Sequence, residues 1–293
     1  MSRLLIAPLA LLAAISTPAF AQDAQLPSGS GGDPTQPADI DLNRDTVTVG
    51  VAAVYIPDYE GSNDYRWTAA PAAVGTVKGL TFLLAGNRLS VDLIPNPSGP
   101  KWEFQAGPVA LANFNRTSLS QIDDRRVRAL GKLDTAWELG GFVGIGKTGV
   151  ITSPYDKVSL SVSYRHDVSD VHDSGIWQPT LNYFTPLSLK AAVNVFATAE
   201  RAGRGYARTY FGVTPAQSVA SGFTVYDPRG GWKNWTLGAV GTYSLTGNLL
   251  HGFKIVAGGT YRRMLNDFGN SPVTRQAGSK DQWLGAVGLA YTF

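Results

Sequence analysis

From Thr46 to Phe293 the chain alternates apolar and polar residues with a period of two. Val158, Leu160, Val162 and Tyr164 alternate with Ser159, Ser161, Ser163 and Arg165. Phe253, Ile255, Ala257, Gly259 and Tyr261 alternate with Lys254, Val256, Gly258, Thr260 and Arg262. Trp235, Leu237, Ala239, Gly241, Tyr243 and Leu245 form a third apolar face, opposite Thr236, Gly238, Thr242 and Ser244. Successive side chains of a strand point to opposite sides, so each window presents one apolar and one wet surface. Helical spacing fits none of them. Alternation over about 10 residues, broken by turn residues, is the pattern of transmembrane β-barrel strands.

Reading back from Phe293, strands are predicted at 282–293, 251–264, 234–246, 189–201, 176–185, 156–166, 134–147 and 101–113. Both chain ends are expected in the periplasm, so the strand number is even. The stretch 46–94 then supplies four more, at 46–55, 66–78, 79–85 and 88–94, giving twelve; a kinked long strand there would give ten. The short links NPSGP, KTGVITSPYD, TPLS and TGN are expected at the periplasmic side. The long links 114–133, 167–175, 202–233 and 265–281 fall outside. Tyr55, Trp67, Trp102, Trp137, Tyr164, Trp177, Trp235, Tyr261 and Trp283 stand at the ends of apolar faces, where interfacial girdles belong.

A soluble β-sandwich also alternates, and two features speak against it. Trp283, Gly285, Val287, Leu289, Tyr291 and Phe293 share one face and end on an aromatic residue. This resembles the terminal strand by which bacterial outer-membrane barrels are recognised by their assembly machinery, with Tyr291 and Phe293 as the expected aromatic signal. Glu103, Glu138, Lys190 and Lys254 stand mid-strand on the opposite faces, which suits a polar lumen and not a dry core. The predicted fold is an all-β transmembrane antiparallel barrel over 44–293.

The N-terminus adds a compartment. Met1–Ala21 has a basic Arg3, a short apolar run from Leu4 to Ile15 and small residues at Ala19-Phe20-Ala21. That is the pattern of a secretory signal peptide, with cleavage expected after Ala21. Gln22–Asn43 is rich in Pro, Gly, Ser, Asp and Gln and cannot bury enough apolar surface to offset its ordering entropy. It is expected to be a disordered periplasmic tail. The chain has no cysteine, which excludes disulfides, thiolate metal sites and a Cys nucleophile. A net charge of +3 with no basic run argues against nucleic acid as a partner. Charged residues make up only 16% of the chain, against about 25% in soluble domains.

Several segments imitate chemistry. Gly141–Thr148 (GFVGIGKT) spells a phosphate-binding loop, yet strand alternation runs through it and no helical period follows. It is read as the end of a barrel strand. Arg165–Asp173 holds His166, His172 and three aspartates, a set that could hold a divalent cation or activate water. The same residues fit a solvated hairpin. Asp123–Arg128 (DDRRVR) offers arginines either to lipopolysaccharide phosphates, as part of the contact with outer-membrane lipids, or to solvent. Glu103, Glu138, Lys190, Lys254 and Arg262 either line a selective pore or pair with one another and block it. No catalytic residue, cofactor or metal is assigned.

The loop 202–231 is too apolar to hang free. Thr214 is placed to cap a short helix, with Pro215 at its first position and Gln217 completing a capping box. Gly222 can end it in a left-handed conformation. Tyr210, Phe211, Val213, Val219 and Phe223 need cover. The loop is therefore expected to fold over the barrel mouth.

GLTFLLAGNRLSVDLIP, ALGKLDTAWELGGFVG, YFGVTPAQSVASGFTVYDPRGG and the closing SPVTRQAGSKDQWLGAVGLAYTF together resemble the MipA/OmpV family of outer-membrane proteins. The resemblance covers Thr46 to Phe293, and YFGVTPAQS is its most specific piece. It implies a non-enzymatic outer-membrane barrel. In some members it implies a scaffold that binds a membrane-bound lytic transglycosylase and a bifunctional penicillin-binding protein, both of which act on peptidoglycan. Others are porin-like or adhesive. The residues themselves support the barrel and choose no partner.

Overall fold

The computed structural model describes residues 45–96 and 102–293. The expected signal peptide, its cleavage at Ala21 and the tail over 22–43 lie outside the described residues. Twelve strands follow one another: β1 (Thr46–Pro57), β2 (Tyr65–Val77), β3 (Leu80–Ala85), β4 (Arg88–Asp92), β5 (Trp102–Asn113) and β6 (Ala136–Thr148), then β7 (Lys157–Asp167), β8 (Gly175–Pro186), β9 (Ala191–Ala202), β10 (Gly231–Ser244), β11 (Gly252–Met264) and β12 (Asp281–Thr292). Each pairs antiparallel with its neighbour in sequence, and β1 closes on β12 from Thr48↔Thr292 to Tyr55↔Gly285. Closure is what hydrocarbon demands, because lipid offers no partner to an open strand edge. The alternative of ten strands is thereby excluded.

The outward face is apolar along its whole circumference. Val51, Val143, Leu160, Leu237 and Leu289 are among its exposed residues. Aromatic pairs mark two levels on it. At the long-loop end Tyr55 meets Trp67 at 5.2 Å, Tyr164 meets Trp177 at 4.7 Å, and Tyr261 lies between Trp235 and Trp283 at 5.3 and 4.9 Å. At the short-turn end Tyr291 packs on Phe253 and Phe293, each at 4.8 Å. Two girdles bracket an apolar band, as an interface on each side of a bilayer requires.

The inward face divides lengthwise. On β4 to β9 it is polar, carrying among others Arg88, Glu103, Glu138, Ser161, Arg165 and Gln178. Along β12 to β3 it is mostly small and apolar, and Val54, Ile56, Ala70 and Ala85 pack there with Phe196 of β9 and Val240 of β10 as one cluster. Phe196 lies over Gly238, where a Cβ would come within 2.3 Å of the ring. A uniformly polar lumen is thus not what the chain builds. Lys190 does not face the lumen either. Leu187 and Ser188 donate to the Ala191 carbonyl and close the turn between β8 and β9, leaving Lys190 exposed within it.

Two local breaks shape the wall. The β3–β4 hairpin has strands of six and five residues, fewer than the nine or so that cross a bilayer. Its tip stops part-way up, where Gly86 donates to the Pro71 carbonyl and Asn87 to that of Ala112. Above it the β1–β2 and β5–β6 loops meet directly: Asp58 accepts from the Asp123 amide and Asn115 from the Glu60 amide. On β10 the register shifts between Trp232 and Asn234. Lys233 is the extra residue of this bulge, and a bulge re-aims a side chain.

The face assignment is testable. Arg placed at Val162 or Ile255 should cost about 2–4 kcal/mol near the bilayer midplane, and Arg at the inward Ser161 much less. Refolding titrations in lipid vesicles measure this; equal losses at the three positions would contradict the assigned faces.

Candidate functional site

At the long-loop end, ionised groups from seven segments meet below the loops. Arg165 on β7 donates from Nε to Glu138 Oε2 at 2.5 Å and from its other arm to Glu200 Oε1 at 2.8 Å. Lys233 lies 2.8 Å from both Glu200 Oε2 and Glu60 Oε1. Arg262 reaches Glu60 from 3.5 Å. Gln178 accepts from both Arg88, at 2.6 Å, and Arg165, at 2.9 Å. The β8–β9 ladder lapses beside it at Gln178 and Pro179, where proline has no N–H to give. Glu138 is fully buried and Arg165, Glu200 and Lys233 nearly so. Each charge is acceptable there because it is both paired and hydrogen-bonded.

Three loops close over this belt. The β9–β10 loop forms α2 (Arg204–Phe211) and α3 (Pro215–Ser221), the β5–β6 loop α1 (Arg125–Ala129), and the β11–β12 loop α4 (Asn266–Asn270) and α5 (Pro272–Arg275). Tyr206, Ala207, Tyr210 and Phe211 form one face of α2, spaced to point the same way, and pack on Ile176, Met264 and Phe268. Tyr206 donates to Glu60 Oε2 at 2.6 Å and accepts from Lys233 at 3.1 Å, so the helix is bonded into the belt. Arg116 donates to the carbonyls of Thr209 and Tyr210, supplying a cation where α2 leaves carbonyls unpaired. Burial pulls the Arg116 guanidinium down to about 10, still protonated at neutral pH.

On α3, Thr214 accepts from the Gln217 amide and the Gln217 side chain accepts from the Thr214 amide, with Pro215 at the first position. Gln217 also donates to the Leu130 carbonyl at 2.8 Å, tying this loop to the β5–β6 loop. Gly222 ends the helix at φ 75°. Val213, Phe223, Tyr59, Ile122, Val127 and Val273 form a second apolar cluster above the first. The mouth is filled by protein down to the belt.

The His/Asp segment comes apart. His166 faces outward beside Asp173 at 3.3 Å, while His172 is buried with Nε2 3.3 Å from Glu138. Asp167 accepts from the amides of Ser169, His172 and Asp173, so it holds the hairpin in shape. In the charged segment, Asp124 caps α1 by accepting from the Arg126 and Val127 amides; against the effect of burial, the Arg126 guanidinium and then these amides hold its carboxyl below the usual range. Arg126 is engaged with Asp124, the Gln276 carbonyl and the Phe223 ring, while Arg125, exposed like Arg126, has no ion pair among the described residues. β6 runs unbroken through GFVGIGKT, with Lys147 over the Trp102 ring and Thr148 donating to Glu103. Tyr291 and Phe293 stand on the outer surface of the short-turn end.

Sequence reasoning missed Glu60, Glu200, Arg116 and Lys233. Glu60 and Arg116 lie in loops with no period to read. The bulge at Lys233 puts it out of step with the alternation. A further acidic group, Asp58, Asp64 and Asp123, gathers at the mouth within 4.8 Å. Burial pushes the Asp58 carboxyl up.

Replacing Lys233 by Met should leave Glu200 with Arg165 and Glu60 with the more distant Arg262, and cost about 3–5 kcal/mol in a urea titration of the folded barrel. Arg208→Ala, which breaks only an exposed pair with Asp227, should leave the midpoint nearly unchanged. Equal effects would mean that the belt holds nothing together. Single cysteines at Phe211 and Val219 give a separate check on intact cells. A bulky impermeant maleimide should label Val219→Cys, 90% exposed in the native residue, and spare Phe211→Cys. Rapid labelling of both would contradict the packed mouth.

The chain shows a distant likeness to several solved outer-membrane proteins. An outer membrane channel from Pseudomonas putida F1 is 12% identical, with a TM-score of 0.37 over 88% of this chain and 99% of the other. The outer membrane channel DcaP of Acinetobacter baumannii is 10% identical, with a TM-score of 0.36 over 85% and 96%. OmpT, an outer membrane protein of Vibrio cholerae, is 7% identical, with the same TM-score over 85% and 97%. No solute or mechanism is carried over at such scores, and no curated protein matches the chain. The sequence does match a family model across residues 49–293, essentially the whole barrel, and on that ground the chain belongs to the family described as MltA-interacting protein MipA.

Proposed function

We propose that this chain is a non-catalytic outer-membrane barrel, sealed on its outer side, that holds peptidoglycan-remodelling enzymes at its periplasmic end. The observation that carries this reading is the burial of Glu138, Arg165, Glu200 and Lys233 under Tyr210 and Phe211. Groups this dry leave no water-filled path through the mouth, which favours a scaffold over a conducting pore. The long loops face outward and the short turns inward, by the general rule for such barrels. That puts the turns following β4, β6, β8 and β10, and the tail over 22–43, within reach of the periplasm. The family's description as MltA-interacting supports a murein enzyme as the partner. Asp167 spends its hydrogen bonds on the amides of its own hairpin, and His172 is buried against Glu138, which supports a role without catalysis. The aromatic pair Tyr291 and Phe293 serves the barrel assembly machinery in this reading, and Arg125 is free for lipopolysaccharide.

Two measurements separate this from a narrow porin-like channel. In planar bilayers the purified protein should show no steady single-channel steps, and deletion of 210–224 should produce them. Affinity capture from envelopes should recover a lytic transglycosylase or a penicillin-binding protein, and lose it when 22–43 are removed or the turn at 149–156 is replaced. Steady conductance in the unaltered protein, with no murein enzyme captured, would replace the scaffold by the pore.

A further inference from the structure

Below the sealed mouth the lumen stays hollow. A chamber lies against the apolar half of the wall, toward the short-turn end. Gly50, Ala52, Ala72, Val74, Val256 and Gly288 line it, and Leu249 and Leu250 of the β10–β11 turn form its lip. Its ceiling is the cluster around Val54, Phe196 and Val240. One cation faces this otherwise apolar space. Lys254 on β11 is 3% exposed, and its ammonium donates to Thr292 Oγ1, which in turn shares a hydrogen bond with Thr48 Oγ1 at 2.6 Å.

Lys254 differs from the paired cations of the lumen, and from Arg88, whose guanidinium is shared between Gln178 and Ser163. Lys157 pairs with Glu103, Arg165 with Glu138 and Glu200, and Lys233 with Glu60 and Glu200. Lys254 has no carboxylate partner among the described residues. A buried ammonium without an anion is costly, and an ionisable group kept inside a spanning segment marks a site. We propose that the chamber binds a long-chain carboxylate, its head group on Lys254, Thr48 and Thr292 and its acyl chain along the apolar wall. One ammonium and two hydroxyls match a monoanion with acceptor oxygens; a phosphate would call for the arginine fork that is missing here. From Thr292 up to Ala286, β12 runs about 20 Å, the reach of one extended acyl chain. The two-sided lumen gives that chain an apolar track on one side and leaves the polar residues of β5 to β9 wet on the other.

The test uses the full chain refolded in lipid nanodiscs, with palmitate carrying a terminal diazirine as the probe. Irradiation should label inward-facing residues near the ceiling, such as Val54, Ala286 or Phe196, and excess palmitate should suppress the label. Lys254→Met should lower labelling about tenfold or more, the loss expected for one charge-assisted hydrogen bond. Heat-modifiable mobility reports whether the variant has folded. Should it not fold, Ala290→Leu, which narrows the chamber and leaves the ammonium in place, is expected to lower labelling as well. Hexadecanol, which has no charge, should compete poorly. The proposal falls if label appears only on outward residues, if folded Lys254→Met labels like the unaltered protein, or if hexadecanol competes as well as palmitate. Single-chain lysophosphatidate competing far better than palmitate would overturn the head-group assignment. Labelling that rises tenfold on removal of residues 22–43 would identify the tail as the occupant instead.

Discussion

Ionised groups withdrawn from water must neutralise one another, and the upper half of this molecule is arranged around that constraint. Glu138 and Glu200 project inward from strands on either side of Arg165, which bridges them. One arginine does not balance two carboxylates. Lys233 supplies the second charge, and it reaches the lumen only because β10 carries a bulge. The third carboxylate, Glu60, comes from a loop and brings Tyr206 of α2 with it. The belt therefore fixes where the loops dock, while Tyr210, Phe211 and Phe268 supply the apolar burial that drives docking. Neither suffices alone. An apolar cover without the belt would have no unique seating, and the belt without its cover would be solvated and weak.

The faces and strand number were legible to the extent that alternation was strong. On β7, β10 and β11 a wet face opposes an apolar one, and those strands lie where the pattern puts them. On β1 to β3 the inward face is itself Gly, Ala, Val and Leu, so both faces read as apolar and the period fades. That is the physical reason the stretch 46–94 fitted either strand count. The cap of α3 was legible because every bond in it is local: Thr214, Pro215, Gln217 and Gly222 lie within nine residues. The belt was not. Glu60 and Lys233 are far apart in sequence, and no local rule joins them. Lys190 misled for the opposite reason, since alternation continued by eye into a turn whose hydrogen bonds had already ended the strand.

The same fading period has a structural consequence. Small residues at Gly50, Ala52, Gly258, Ala286 and Gly288 let the wall of β10 to β3 run without filling the lumen. Larger ones there would have closed the lower half as firmly as the loops close the upper. Gly238 shows the trade in one place: its missing Cβ gives Phe196 a seat, and Phe196 helps to close the ceiling. The other half carries polar residues such as Glu103, Lys157 and Asn194, so the chamber is one-sided in chemistry as well as in position.

A barrel sealed in this way is not readily a gated one. Opening the mouth would expose Tyr210, Phe211 and Phe268 and separate charges that have no other partners, a cooperative change and not the swing of one loop. Solutes crossing on demand would need that change on every passage. A fixed seal costs nothing further once folded and leaves the short-turn rim as the part free to meet other molecules. On the proposed reading, partners held at that rim would need a stable platform, which is what a neutralised, loop-covered mouth makes of the barrel.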